Sequence, residues 1–241
     1  MQSKPIRPAR HVTSARTPPL GILAPVSRRR IFFLSPANAS GLRASLILGD
    51  SARSDLARRL RGEGAPLGEV FSFISGLYFR GKLAYARAYA DPPPGIPGVA
   101  VITASGGLVS PDKLFTVEQL REISAVPIEV EEPRYRIPLE RDAHRLCDQM
   151  GSDCEVVLLG SIATPKYVQP LVSIFGERLV FPVEFVGRGD MSRGGLMLRC
   201  KREGIQLNYV PVVESVHHGS RPPKLPPADK RSKRAVRRNR S

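Results

Sequence analysis

Two arginines and an aspartate fall within six residues in the stretch Gly187-Arg188-Gly189-Asp190-Met191-Ser192-Arg193-Gly194-Gly195. Glycines let backbone amides approach a ligand, and a guanidinium offers a planar fork of donors to a carboxylate or phosphate. Arg188, Arg193 and Gly194 are therefore candidate anion ligands. Asp190 is a candidate base, or the group that orients an arginine. Three further stretches, 35–41, 103–107 and 160–164, are small and polar in the same way. Their candidate ligand contacts are Ser35, Asn38, Ser105, Gly106, Gly107, Ser161 and Thr164. Lys166 and Tyr167, just beyond the last stretch, are candidate acid–base groups. A competing reading stays open: turns are small and polar for conformational reasons, and Lys166 and Tyr167 are then a solvated first helical turn.

Gly76-Leu77-Tyr78-Phe79-Arg80-Gly81-Lys82 matches the opening of a phosphate-binding loop. The match stops at Leu83, where a Ser or Thr hydroxyl should hold magnesium. The sequence therefore favours a helix start here, with Tyr78, Tyr85 and Tyr89 packing along it; a second reading has Arg80 and Lys82 lining a pocket as cations. Gly187-x-Gly189 lacks the third glycine of a dinucleotide fingerprint and opens no evident helix. Of four histidines only His144 lies in the central region, so a Ser-His-Asp triad or a His-based metal site has little to draw on. Three scattered cysteines with no CxxC pair support neither a zinc ribbon nor a disulfide framework, and they fit a reducing cytoplasm. No metal or cofactor is expected.

The elements that must carry these loops follow from periodicity. Residues 31–34, 99–102 and 155–159 are short apolar runs that read as buried strands. Residues 179–185 read as a fourth strand, broken by Pro182, and 69–75, 196–200 and 206–213 as further strand candidates. Helices are expected over 51–61, 82–90, from Val117, over 138–150 and near 166–175. Thr116 and Gln119 have the spacing of a capping box. Strands alternating with helices predict an α/β fold: a mostly parallel or mixed sheet with helices on both faces, in a single domain. In such sheets ligands bind beyond the carboxyl ends of the strands, which is where the four polar stretches fall.

The net charge is +15, but it is unevenly placed. Residues 1–30 hold seven basic residues and no acid, and residues 217–241 hold nine basic residues and one acid. Residues 31–216 hold 21 of each sign. The chain thus divides into a disordered basic N-terminal tail (1–30), a neutral α/β core (31–216) and a disordered basic C-terminal tail (217–241). Basic runs bind phosphate backbones by releasing counterions. Arg28, Arg29, Arg30, Lys230, Arg231, Lys233, Arg234, Arg237, Arg238 and Arg240 are the candidate contacts to DNA or RNA. No aromatic residue is interleaved in the C-terminal run, so stacking on bases is not expected there. No apolar run approaches the length of a membrane span, and Pro18, Pro19 and Pro25 interrupt any secretory core after the basic start.

Ser35-Pro36-Ala37, Gly107-Leu108-Val109-x-Pro111 and Gly189-Asp190-Met191-Ser192-Arg193-Gly194-Gly195 resemble sequences of a bacterial group of uncharacterised α/β proteins. They are also distantly similar to the YaaA-like peroxide-response proteins. That second resemblance implies DNA association and protection of DNA from oxidative damage, although no helix-hairpin-helix element is evident. It carries over no catalytic residue. Two functions remain in play. One is a nucleic-acid-associated protein whose core binds a nucleotide or other small anion. The other is a small-molecule enzyme acting on a nucleoside or phosphorylated metabolite, with incidental basic tails.

Overall fold

The computed structural model describes residues 28–39, 41–214, 222 and 223. The first half of the chain forms β1 (Arg29–Leu34), α1 (Leu42–Leu48), α2 (Asp55–Arg61), β2 (Ala65–Pro66), α3 (Leu67–Ser75), α4 (Leu77–Tyr89), β3 (Val99–Ile102) and β4 (Leu108–Val109). Next come β5 (Leu114–Phe115), α5 (Val117–Ser124), α6 (Pro133–Gln149), β6 (Cys154–Leu159) and α7 (Pro165–Phe175). The last elements are β7 (Leu179–Pro182), α8 (Asp190–Glu203) and β8 (Tyr209–Pro211).

The main sheet has the order β4-β3-β1-β6-β7-β8. Its four inner strands are parallel, and β4 and β8 are antiparallel edges. Every residue of β6 is buried, as a central strand covered on both faces requires. Alternate residues of β1 show which helices cover which face. The Phe32 ring meets Tyr85 of α4, and the Phe33 ring meets Phe175 of α7. The protein is thus an α/β fold with a mixed sheet and helices on both faces. The expected capping box is present: Thr116 accepts from the Gln119 amide, and Gln119 reaches back to the Thr116 amide.

Several local expectations are corrected. Residues 69–75 are helical, not a strand. A window opening at Leu67 shows why, because Leu67, Val70, Phe71 and Ile74 follow a helical repeat and all are buried. Helix α4 begins at Leu77 rather than at residue 82, so the phosphate-loop-like stretch is its first turns. The segment 196–200 is helical and belongs to α8. The turn from β7 ends at Gly189, so Arg193 and Gly194 lie within a helix and not in a loop.

Helix α8 carries a glycine at 194 for a packing reason. A Cβ on Gly194 would lie 2.6 Å from the Leu77 carbonyl oxygen. A Cβ on Gly81 would lie 2.7 Å from the Gly194 carbonyl oxygen. The two helices cross backbone to backbone at these glycines, which outweighs their poor helix propensity.

The boundary expected at residue 30 also moves. Arg29 and Arg30 are the first residues of β1. Arg28 Nη1 lies 2.9 Å from Glu155 Oε1, and Arg30 Nε lies 3.3 Å from Glu155 Oε2. The Arg30 guanidinium also stacks over Tyr209, and Arg29 donates to the Pro92 carbonyl. Glu155 is buried and a buried carboxylate needs a countercharge, so these arginines belong to the folded body rather than to a free basic tail. The expected nucleic-acid contacts Lys230, Arg231, Lys233, Arg234, Arg237, Arg238 and Arg240 lie outside the described residues, as do residues 1–27. Among the described residues no helix is long and apolar enough to cross a membrane.

Candidate functional site

β1 and β6 are neighbours whose onward connections leave in opposite directions, β1 toward β3 and β6 toward β7. Such a reversal opens a crevice at the carboxyl ends of the two strands. A cavity of about 480 Å³ occupies this place. The turn after β1 brings Ser35 and Asn38 to it, and the turn after β6 brings Ser161. The first turn of α7 adds Lys166 and Tyr167, and α8 adds its first residue, Asp190. Two residues not anticipated from the sequence complete the wall, Arg43 of α1 and Tyr78 of α4.

A second cavity of about 410 Å³ adjoins the first and shares Pro36, Ala37, Asn38, Lys166 and Tyr167 with it. Its far side sets Phe71, Ile123, Val126 and Ile128 beside Ser124, and it reaches the end of β3 at Thr103 and Ala104. Together the two form one bipartite cleft. One lobe carries Arg43 and Asp190 beside Ser35, and the other sets Phe71 and Ile123 beside Thr103 and Ser124. Lys166 stands where the lobes meet.

Beneath the first lobe lies Lys82, which is 1 % exposed. Its Nζ donates to the Ser35 carbonyl oxygen at 2.5 Å and meets Ser35 Oγ at 2.9 Å. The Tyr78 and Phe79 rings stand over it, with centroids 4.4 and 4.9 Å from Nζ. Burial pulls the ammonium down to about 7; Asp190 opposes that shift and Arg193 adds to it. The Tyr78 hydroxyl is buried with the Arg193 guanidinium beside its oxygen, and no described residue accepts a hydrogen bond from its proton. Burial pushes this phenol up to about 12, with Arg193 drawing it back. A phenol beside a cavity whose proton has no acceptor keeps a donor for a ligand group that comes within reach.

The other expected ligand contacts have structural partners. Arg193 donates from Nε and Nη2 to the Phe185 carbonyl, at 3.2 and 3.0 Å, and its guanidinium lies over the Phe185 ring. Arg188 donates to the Glu184 carbonyl at 2.9 Å and to Ser192 Oγ at 3.3 Å. Both arginines thus tie down the turn that leads into α8. The Gly106 amide is bonded to Thr103 Oγ1, and Gly107 holds a left-handed conformation where a side chain would strike Asp142 and the Pro138 carbonyl. Gly194 serves the helix crossing. Ser105 and Thr164 do not reach the wall of either lobe. Arg80 is exposed on the outer side of α4, near Leu77 and Met191 and away from the cleft, so of the two cations only Lys82 is associated with it.

Among the described residues no group of three His, Cys, Asp or Glu is placed to hold a metal ion. Lys82 carried a sequence signal through the phosphate-loop-like pattern, though its role is different: it sits on a helix and points at the end of β1. Arg43 carried none, because a single arginine in a short helix is indistinguishable from a solvated one. Compared with protein-family models, curated proteins and solved structures, the chain matches none of them.

Proposed function

We propose that the folded body binds a small anionic molecule of the nucleotide or phosphorylated-metabolite class in the bipartite cleft. The observation that carries this reading is the buried Tyr78 phenol, whose proton has no acceptor among the described residues, in the wall of a cavity at the sheet's point of reversal. Arg43 and Lys166 supply positive charge on the same wall against one carboxylate, Asp190. The N-terminal turn of α7 lies at the same place, and a helix N-terminus favours negative charge. The second lobe offers the rest of the same ligand both apolar walls, Phe71 and Ile123, and polar groups, Thr103 and Ser124.

A ligand present at about a hundred times its Kd should stabilise the protein by about 2.7 kcal/mol. For a chain of this length that raises the melting temperature by about 5–10 °C. A panel of nucleotides, sugar phosphates and inorganic phosphate, read by thermal melting, is the measurement. Tyr78→Phe and Arg43→Ala should shrink the shift while leaving the unliganded melting temperature within a few degrees of the parent. A panel that moves nothing sinks this reading.

We propose further that the flanking basic segments associate with nucleic acid. With Arg28, Arg29 and Arg30 assigned to the fold, residues 1–27 keep four basic residues and no acid, and 217–241 keep nine and one. Removing both segments should abolish the affinity for duplex DNA and flatten its dependence on salt. Equal binding by the trimmed body would place the contacts elsewhere.

A further inference from the structure

We propose that Ser35 and Lys82 form a nucleophile and base pair that attacks the carbonyl carbon of a carboxylic ester held in the first lobe of the cleft. The proposal rests on the same cavity as the binding reading and adds a reaction to it. Ser35 closes β1, at the point where the chain turns away from the sheet, and it contributes to the cavity wall. Lys82 approaches it from below. Its hydrogen bonds among the described residues are both to Ser35, and no carboxylate takes either position. A lysine with that environment is not a surface charge turned inward. Its amine is dry, bracketed by two aromatic rings, and 2.9 Å from the hydroxyl of a residue that lines the cavity.

The protonation state fits the role. Groups on three sides act on Lys82: Tyr78 on its own helix, Asp190 and Arg193 on α8, and Ser35 on the β1 turn. Burial dominates, and the amine titrates near neutrality. When neutral, Nζ keeps one N–H on the Ser35 carbonyl and turns its lone pair to the hydroxyl. Nζ donates to Oγ at 2.9 Å and Oγ–H donates to the Leu159 carbonyl at 3.4 Å; once Lys82 has lost its proton the hydroxyl turns from that carbonyl to Nζ. A general base is most effective when its pKa is near the working pH, and an adjacent base is what makes a serine hydroxyl nucleophilic.

The atoms balance without a co-reactant other than water. Ser35 Oγ bonds to the ester carbon, and its proton passes to Lys82. The carbonyl π electrons move to oxygen, where the Tyr78 hydroxyl, whose proton has no acceptor among the described residues, is the donor. The tetrahedral species collapses, the C–O bond to the alcohol breaks, and Lys82 returns its proton to the leaving oxygen. Water then attacks the acyl-serine with Lys82 again taking a proton; the bond to Oγ breaks, Lys82 returns that proton to Oγ, and the acid is released. One uncharged hydroxyl donor suits the single oxyanion of acyl transfer better than a phosphoryl group, whose charge spreads over three oxygens.

The test needs no knowledge of the natural ester. The full chain is incubated with a fluorophosphonate, which a nucleophilic serine attacks at phosphorus with loss of fluoride. The expected result is one phosphonyl group per chain, mapped to Ser35 by peptide mass. The labelling rate should rise with pH through a midpoint near 7. Ser35→Ala should take no label, and Lys82→Met should label at least about 100-fold more slowly. If Lys82→Met does not fold, the site of labelling and the pH midpoint of the parent decide the matter. An unlabelled parent, a label on another residue, or a Lys82→Met protein labelled at the parent's rate overturns the proposal. Binding is scored separately on the parent protein, by its anion-induced rise in melting temperature. Failure to label with that rise intact removes the reaction and leaves the ligand site standing.

Discussion

Gly194→Ala should lower the melting temperature by about 4–8 °C, while Gly195→Ala, one residue on in the same helix, should raise it by about 1–4 °C. The two glycines share a helix and an intrinsic propensity, so alanine improves both by about 0.5–1 kcal/mol before packing is considered. Their surroundings differ. A Cβ on Gly195 meets nothing within 4 Å. A Cβ on Gly194 lies 2.6 Å from the Leu77 carbonyl oxygen and 2.8 Å from the Tyr78 Cα. Both are backbone atoms of α4 and cannot swing aside as a side chain would. The helices must separate, and overpacking of that kind costs about 3 kcal/mol. The net loss is about 2 kcal/mol. Separation would also shift Tyr78 in the cavity wall, so the ligand-induced melting shift should shrink with it. Thermal melting of the two single variants reads the contrast, and equal behaviour of the pair would mean that α4 and α8 do not cross this closely.

The second large effect is on stability as a function of pH. In the folded protein Lys82 is drawn down to about 7, whereas in an unfolded chain a lysine titrates near about 10.4. Between those values the unfolded state binds a proton that the folded state does not, so stability rises with pH. Below about pH 7 the folded state must carry a buried ammonium, and the penalty is complete. The slope approaches about 1.4 kcal/mol per pH unit, and the whole interval amounts to about 5 kcal/mol. Cys154 and Cys200 act in the opposite sense at higher pH. Burial holds both thiols protonated above their usual range, which removes stability once an unfolded thiol ionises. The clean window is therefore pH 7.0 to 8.5. Across it the urea midpoint of the parent should climb by the equivalent of about 1–2 kcal/mol. Lys82→Met should stay flat over the same window. A parent whose midpoint does not move would show that Lys82 keeps its proton and could not serve Ser35 as a base.

The sequence alone determined the parts that depend on local pattern. The apolar runs of β1, β3 and β6 can only be buried strands, because a central parallel strand needs side chains on both faces. The alternation of these runs with amphipathic stretches determined the α/β class, and Thr116 with Gln119 marked the start of α5 by its spacing. The placement of polar residues after the strands located Ser35, Asn38, Ser161, Lys166 and Asp190 at one end of the sheet, because chain direction fixes which end is the carboxyl end.

Only the tertiary structure decided what those residues face. Arg188 and Arg193 look like anion ligands in the sequence, yet carbonyls of the preceding turn claim their guanidiniums. Arg28 and Arg30 look like part of a basic tail, yet a buried glutamate 125 or more residues away claims them. Gly194 looks like loop chemistry, but it is a helix contact that only a second helix explains. In each case the deciding partner is remote in the chain and carries no signature that a local pattern could register. The same holds for the central pair of the site. Ser35 and Lys82 are 47 residues apart and on different elements. Nothing in either neighbourhood announces the other, and it is the packing of α4 against the end of β1 that removes water from the amine and sets it against the hydroxyl.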